Sequence, residues 1–274
     1  MKRLRTLLPL FFLATLIVCN SCKKNSGSPA PPETVLSKIL RNGALEQEFQ
    51  YNAQKQLSRY IYYPTSRNSD LEYNSNGTLK SITETGMSGQ LFSKKEYHYN
   101  PSGVLDTIFV YLAPEVVVPG VDLQHTSSLV YEYNGEGQIT KETRVDPKKG
   151  DPLSYNLYTY NNNGSIKKIE YWKINAVADL TKVWLYGKSD SIPALASKIK
   201  LSPIDINLAY FYTIQIHTTS YNAAGIVSNE YEEKLKDRVF DKNGYMTEQT
   251  IERNFILPAS PGEEVELVYI YISI

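Results

Sequence analysis

Residues 97–105 read YHYNPSGVL, and variants of this stretch recur along most of the chain. The repeated unit is an aromatic residue, Asn or Asp, two free positions, Gly, one free position and an aliphatic residue. Asn at the first position of a type I turn bonds the backbone two residues on, and Gly at the fourth position accepts a positive φ. Each unit therefore predicts a β-hairpin whose turn is the Asn-x-x-Gly segment.

Six segments carry the whole unit, and a seventh carries a degenerate copy. In the degenerate copy, Tyr51–Leu57, Lys55 stands where Gly is expected, so we expect Lys55 to adopt a left-handed conformation. The predicted turn residues of the six complete copies are Asn74, Gly77, Asn100, Gly103, Asn134, Gly137, Asn161, Gly164, Asn222, Gly225, Asp241 and Gly244.

The residues that flank each turn predict which face of the strands is packed. Aromatics two residues apart, such as Tyr97 and Tyr99, lie on one face of a strand, and His98 between them points the other way. After the turn, aliphatic residues are often spaced by three, as in Leu79 and Ile82. We expect an all-β fold of about fifteen strands, in which tandem β-hairpin repeats form a long curled antiparallel sheet; a sandwich is the second choice.

The repeats are interrupted between Ile174 and His217. Within this insert, Ser191-Ile192-Pro193 and Ser202-Pro203-Ile204 place Ser before a proline, which is a helix-start pattern. The sequence thus predicts one or two short helices in the insert that cover an edge or an end of the sheet.

The unit resembles the YD or RHS repeat, Tyr-Asp-x-x-Gly-x-Leu/Ile, and the resemblance covers roughly residues 49–249. It is most similar to uncharacterised Bacteroidetes lipoproteins built from such repeats. Asn mostly replaces Asp here, and only Asp241 keeps the acid. Large RHS proteins wrap a shell around a toxin with many more repeats, so the resemblance implies the hairpin fold without encapsulation.

The first 33 residues predict export and lipidation. Residues 1–21 contain three basic residues, no acid and an apolar run of about twelve residues, which is typical of a signal peptide and too short to span a bilayer. Ser21-Cys22-Lys23-Lys24 resembles a lipobox, so Cys22 is the predicted lipidation site, preferred over Cys19. Residues 22–33 then form the lipidated Cys and a flexible tether, and residues 34–274 form a single β-hairpin repeat domain.

Charge and cysteine content exclude several classes of function. Loss of residues 1–21 would leave 26 basic and 29 acidic residues, a net charge of about −3, which is no basis for nucleic-acid binding. Lipidation of Cys22 and removal of Cys19 would leave no thiol for catalysis, zinc or disulfides. The expected address is the outer membrane, with its periplasmic side slightly favoured over the cell surface.

No motif predicts catalysis, a metal or a cofactor. His98, His125 and His217 lack ligand spacing, and adjacent acids such as Glu232-Glu233 and Glu263-Glu264 would point to opposite faces of a strand. The sequence therefore favours a non-catalytic binding or scaffold module that contacts the membrane through its lipid anchor and has a glycan or an envelope protein as its expected partner.

Two alternatives remain open. One is glycan binding through exposed aromatics, for which Trp172 and Trp184, outside the repeat unit, are the candidate residues. The other is a hydrolase whose carboxylates are brought together by the fold.

Overall fold

The computed structural model describes residues 34–114, 122–160, 166–174, 177–186, 215–222, 224, 226–243, 245–258 and 260–273. Of residues 166–170, 172–174, 177–186, 215–216 and 260 the backbone alone is described. The chain divides into two units, Met1–Glu33 and Thr34–Ile274, and every described residue belongs to the second. The predicted signal peptide, Cys22 and the tether therefore lie outside the described residues.

The described residues form sixteen β-strands and one 3-10 turn, Tyr63–Thr65. In chain order the strands are β1 Thr34–Arg41, β2 Ala44–Tyr51, β3 Leu57–Tyr62, β4 Arg67–Tyr73, β5 Leu79–Gly86, β6 Leu91–Tyr99, β7 Leu105–Leu112, β8 Gln124–Tyr133, β9 Ile139–Val145, β10 Pro152–Tyr160, β11 Ile166–Ile174, β12 Val177–Tyr186, β13 Gln215–Tyr221, β14 Val227–Phe240, β15 Met246–Leu257 and β16 Ser260–Ser273.

All sixteen strands belong to one antiparallel sheet. Each strand pairs with its neighbours in sequence, and β1 pairs with β16 as well as with β2, so the sheet closes on itself. Thr34 at the start of β1 lies opposite Ser273 at the end of β16. The prediction of an all-β hairpin sheet that curls on itself is confirmed. The structure is a single curled sheet and not a sandwich of two sheets.

The described repeat turns have the predicted geometry. In the turn at Asn100, the amide of Gly103 donates to the Asn100 carbonyl at 2.8 Å, and the Asn100 amide donates to the Val104 carbonyl at 2.8 Å. Asn100 Oδ1 accepts from the amides of Ser102 and Val104, and Gly103 has φ +78°. Lys55 has φ +61°, as predicted, and its turn keeps both backbone bonds.

A β-bulge after each described repeat turn explains the spacing of the aliphatic residues by three. Opposite β4, Leu79 pairs with Tyr73 and Ser81 pairs with Glu72, so Lys80 is the extra residue. The extra residue shifts the alternation, and both Leu79 and Ile82 reach the packed face.

Where the extra residue is Ser or Thr, its hydroxyl donates to a carbonyl of the partner strand. The four bonds of this kind, at 3.2–3.3 Å, run from Ser58 to Gln50, Thr140 to Glu132, Ser228 to Ser220 and Thr247 to Val239.

Tyrosine hydroxyls join successive hairpins. Backbone pairing between β5 and β6 ends at the pair Ser81 and Glu96. Beyond this last pair, the Tyr99 hydroxyl donates to the Leu79 carbonyl at 2.9 Å. The same bond recurs from Tyr51 to Leu36, Tyr73 to Leu57, Tyr133 to Leu105, Tyr160 to Ile139 and Tyr271 to Met246, at 2.6–3.0 Å. The repeat tyrosine thus bonds a carbonyl at the point where backbone pairing between repeats has stopped.

The packed inner face holds two clusters of buried side chains. The larger cluster draws on β1–β5 and β14–β16 and so joins the two ends of the domain. The smaller contains Leu105, Ile108 and Tyr131, and Tyr97 packs against both clusters. Tyr97 and Tyr99 therefore face inward and His98 is exposed, as predicted.

Strand direction places the turn at Asn222 apart from the others. The turns at Asn52, Asn74, Asn100, Asn134 and Asp241 each follow an even-numbered strand and lie at one end of the sheet, whereas the turn at Asn222 follows β13 and lies at the opposite end.

Gly164, Gly225, Gly244 and Asn161 lie outside the described residues, as does the insert in which helices are predicted. Among the described residues, none forms a helix of the length and apolar character that a membrane crossing needs.

Candidate binding face

The outer face of β6–β11 carries one continuous row of side chains. His98 pairs with Thr107, Thr107 with Val130, Val130 with Thr143, Thr143 with Tyr155, and Tyr155 with Tyr171. Because directly paired residues share a face, these six residues form a rung across six strands. The buried residues Ile108, Tyr131 and Tyr158 belong to the inner face, so the rung faces outward.

One end of the rung is a cluster of four rings, which we call the first ring cluster: His98, Phe109, His125 and Tyr111. The ring centroids of His98 and Phe109 are 4.4 Å apart, those of Phe109 and His125 5.2 Å, and those of Tyr111 and His125 5.0 Å. All three contacts are tilted, a favourable geometry for aromatic pairs. The rings thus form a continuous surface over β6, β7 and β8.

Polar neighbours fix the rings of the first cluster. The Tyr111 hydroxyl donates to Glu96 Oε2 at 3.2 Å, and Lys94 Nζ lies 2.8 Å from Glu96 Oε1. The hydrogen bond from Lys94 is the main cause that lowers the pKa of Glu96, and burial is the main cause that raises the pKa of Tyr111. His125 Nε2 lies 3.1 Å from the Ser128 hydroxyl. The cluster is therefore held by a charge pair and by hydrogen bonds from residues of the same face.

The other end of the rung is the second ring cluster, Tyr155 and Tyr171. Their rings are stacked with centroids 4.8 Å apart, and Lys141 Nζ lies 5.9 Å from the Tyr155 centroid. Lys141 also pairs with Glu132 at 2.8 Å. Like the first cluster, this one places rings beside a neutralised charge pair.

Between the two clusters lies a floor of small side chains, Thr107, Val130 and Thr143, all half-buried. His98 and Tyr155 are four strands apart, which corresponds to about 19 Å at the usual strand spacing. The face is therefore a long shallow strip with rings at each end and hydroxyl and methyl groups in the middle.

The tryptophans that the sequence singles out lie near this strip along the backbone. Trp172 follows Tyr171 on β11 and pairs with Ser154 and Asp179, while Trp184 on β12 pairs with Lys168 and Thr218. Their side chains are outside what the structure describes, so their candidate role stays a prediction. Sequence reasoning missed the first ring cluster because its rings come from three strands, although the outward alternation of His98 pointed to it.

The fold does bring two carboxylates together, on β14 and β16, away from the strands that carry the rung. Glu233, 3% exposed, and Glu263 both accept from the guanidinium of Arg253, with Nε 2.6 Å from Glu233 Oε1. Glu232 and Glu264 instead pair with Lys234 and Lys236, so adjacent acids do face opposite ways. A cation between Glu233 and Glu263 makes them an ion-pair network and a poor general acid and base.

Two further features of the described residues bear on function. An open polar groove of about 770 Å³ lies between the first two repeat turns and is lined by amides such as those of Asn52, Gln56, Asn74 and Asn76. In the part of the chain that the structure describes, no group of three His, Cys, Asp or Glu side chains is placed to hold a metal ion.

Comparison with known proteins finds similar solved structures and no family. No family model matches the sequence, and no curated protein matches it. A porin-like protein from Bacteroides vulgatus is 11% identical with a TM-score of 0.47, over 86% of this chain and 98% of that one. A porin-like protein from Bacteroides uniformis is 13% identical with a TM-score of 0.41, over 86% and 96%.

Chains of Tc toxin complexes are also among the similar structures. The TcdB2-TccC3-Cdc42 structure is 12% identical with a TM-score of 0.34, over 82% of this chain and 13% of that one. The similar solved structures thus include Bacteroides proteins described as porin-like or of unknown function, and toxin chains much longer than this one.

Proposed function

We propose that this protein is a lipid-anchored, non-catalytic binding module of the cell envelope, and that the outer face of β6–β11 is its binding face. The observation that carries the proposal is the rung from His98 to Tyr171, with ring clusters at both ends. Of these rings His98 is exposed and the others are half-buried. Rings lined up on an outer face are a typical recognition surface, because each supplies a large apolar area at a low entropy cost.

The anchor is the part of the proposal that the N-terminal sequence supports. Cys22 would carry the lipid, with residues 23–33 as the tether and the periplasmic leaflet of the outer membrane as the address. Metabolic labelling with a fatty acid tests it: Cys22→Ala should lose the label and leave the membrane fraction. Cys19→Ala is the matched control and should keep both. Label that persists in Cys22→Ala would contradict the anchor.

The binding face is tested separately in living cells. A photo-crosslinking amino acid at position 98 should form adducts with an envelope component, whereas the same amino acid at position 240 should not. Phe240 is 45% exposed and lies far along the chain from the ring clusters, so it controls for exposure alone. Equal crosslinking at both positions would remove the case for this face.

Glycan capture is the second candidate, and a specific observation favours it. The stacked Tyr155 and Tyr171 and the first ring cluster present ring surfaces on an outer face where each strand from β6 to β11 is already paired on both sides. A ligand of this face must therefore be bound by side chains and not by backbone groups. Sugars are bound in this way, because they stack on aromatic rings.

A further inference from the structure

We infer that the face binds an uncharged polysaccharide, laid across the strands along the rung, with one part on the first ring cluster and another on the second. The inference rests on the proposed function, since it names the ligand class of the same face. It differs from the sequence prediction in the residues it uses, because the described rings of β6–β11 carry it without Trp172 or Trp184.

The shape of the face supports a chain rather than a single sugar. His98 in the first ring cluster and Tyr155 in the second are about 19 Å apart along one rung, and the residues between these two on the rung are Thr107, Val130 and Thr143. These side chains are short and half-buried, and two of them carry hydroxyls, of which that of Thr107 already donates to Asp106 at 3.1 Å. A flexible polymer of sugar rings can lie across such a floor and stack the C–H faces of its rings on the aromatic side chains at both ends.

The charges of the face support a neutral polymer. Lys94 pairs with Glu96 and Lys141 pairs with Glu132, each at 2.8 Å, so the cations beside the two clusters are already neutralised. An acidic polysaccharide would have to compete for these lysines. A neutral one needs only ring faces and hydroxyl groups, and both are present.

Peptide binding by strand addition is disfavoured by the pairing of the sheet. A peptide that adds as a strand needs an unpaired sheet edge. From β6 to β11 each strand is hydrogen-bonded to a neighbour on either side. The face therefore offers side chains and no backbone groups.

The test is affinity gel electrophoresis of the full-length lipidated protein in non-ionic detergent. The gels contain soluble starch, xylan, laminarin or galactomannan as neutral polymers, and polygalacturonate as an acidic one. We expect retardation in at least one neutral gel. In that gel, Phe109→Ala and Tyr155→Ala should each weaken binding on the order of tenfold, because each loses one aromatic stack.

Two more variants make the test specific. Thr143→Arg leaves both ring clusters intact and fills the floor, so it should cause a comparable loss if the polymer spans the clusters. Phe240→Ala removes an exposed ring outside the face and should bind as wild type. If Phe109→Ala unfolds, Tyr155→Ala and Thr143→Arg still decide the question.

The outcomes separate the inference from the proposed function. No retardation in any neutral gel, binding of polygalacturonate alone, or full binding by Thr143→Arg overturns the inference. If position 98 still crosslinks specifically in cells while the gels are negative, the partner is another class of molecule, such as a protein, and the binding module stands. If crosslinking also fails, both fall.

Discussion

The repeat tyrosine is the residue that links one hairpin to the next. Its ring fills the packed face, and its hydroxyl reaches the carbonyl of the aliphatic residue that begins the preceding strand. Burial raises the pKa of Tyr73 to about 12, and it also raises the pKa of Tyr99, Tyr133 and Tyr160. These tyrosines are therefore harder to ionise in the folded protein than in the unfolded chain.

This difference predicts a loss of stability at alkaline pH. The pKa of Tyr73 is higher in the folded state, so its contribution is fully present below the unfolded value of about 10 and is lost as the pH rises toward about 12. Urea unfolding followed from neutral pH to about pH 12 should show the midpoint falling in that window.

Tyr73→Phe is the matched variant for this prediction. It should be less stable at neutral pH by about 1 kcal/mol, because the Leu57 carbonyl loses its hydrogen bond. Its stability should also fall less steeply above about pH 10. A slope identical to that of the wild type would show that Tyr73 does not contribute to the alkaline transition.

At the scale of the element, the turn and the bulge together define a repeat. The turn residues and their left-handed positions were predictable, because Asn-x-x-Gly determines a local geometry that needs no partner strand. The spacing of Leu79 and Ile82 was visible in the sequence, but its cause, the extra residue Lys80, appears only with the register against β4. The tyrosine hydroxyl bonds were not predictable for the same reason, since their acceptors lie on another hairpin.

The turns allow a reciprocal test of backbone strain. Gly103 has φ +78°, and a Cβ added there meets nothing within 4 Å, so Gly103→Ala should cost about 1 kcal/mol through its backbone conformation alone. Lys55 occupies the equivalent position with φ +61°, and Lys55→Gly should stabilise the protein by up to about 1 kcal/mol. Urea midpoints measure both. Changes of the same sign would contradict a common left-handed position.

At the scale of the whole molecule, closure and the binding face depend on register that the sequence does not reveal. β1 and β16 pair although they lie at opposite ends of the domain, and the rung from His98 to Tyr171 draws on six strands. A slip of one residue at any of these pairings would move a member of the rung to the packed face. Repeat counting predicts hairpins, whereas the joining of first and last strands depends on the accumulated twist of all of them.

Because the sheet closes on itself, we expect the domain to fold with its chain ends at a different turn. Thr34 and Ser273 are paired residues at the ends of β1 and β16, so a short flexible linker can join them. New ends can be opened between Lys148 and Lys149, in the exposed turn between β9 and β10. We expect this circular permutant of the domain to unfold in one cooperative transition and to remain monomeric to the same extent as the unpermuted domain.

The matched control opens the chain inside a strand, between Val130 and Tyr131 of β8. Tyr131 is 6% exposed and belongs to the smaller core cluster, so this permutant should be strongly destabilised. Urea unfolding and size-exclusion chromatography distinguish the two. If β1 and β16 did not pair in solution, the linker would have to span two separate edges, and the permutant opened at Lys148 would unfold at lower urea and self-associate through its exposed strands.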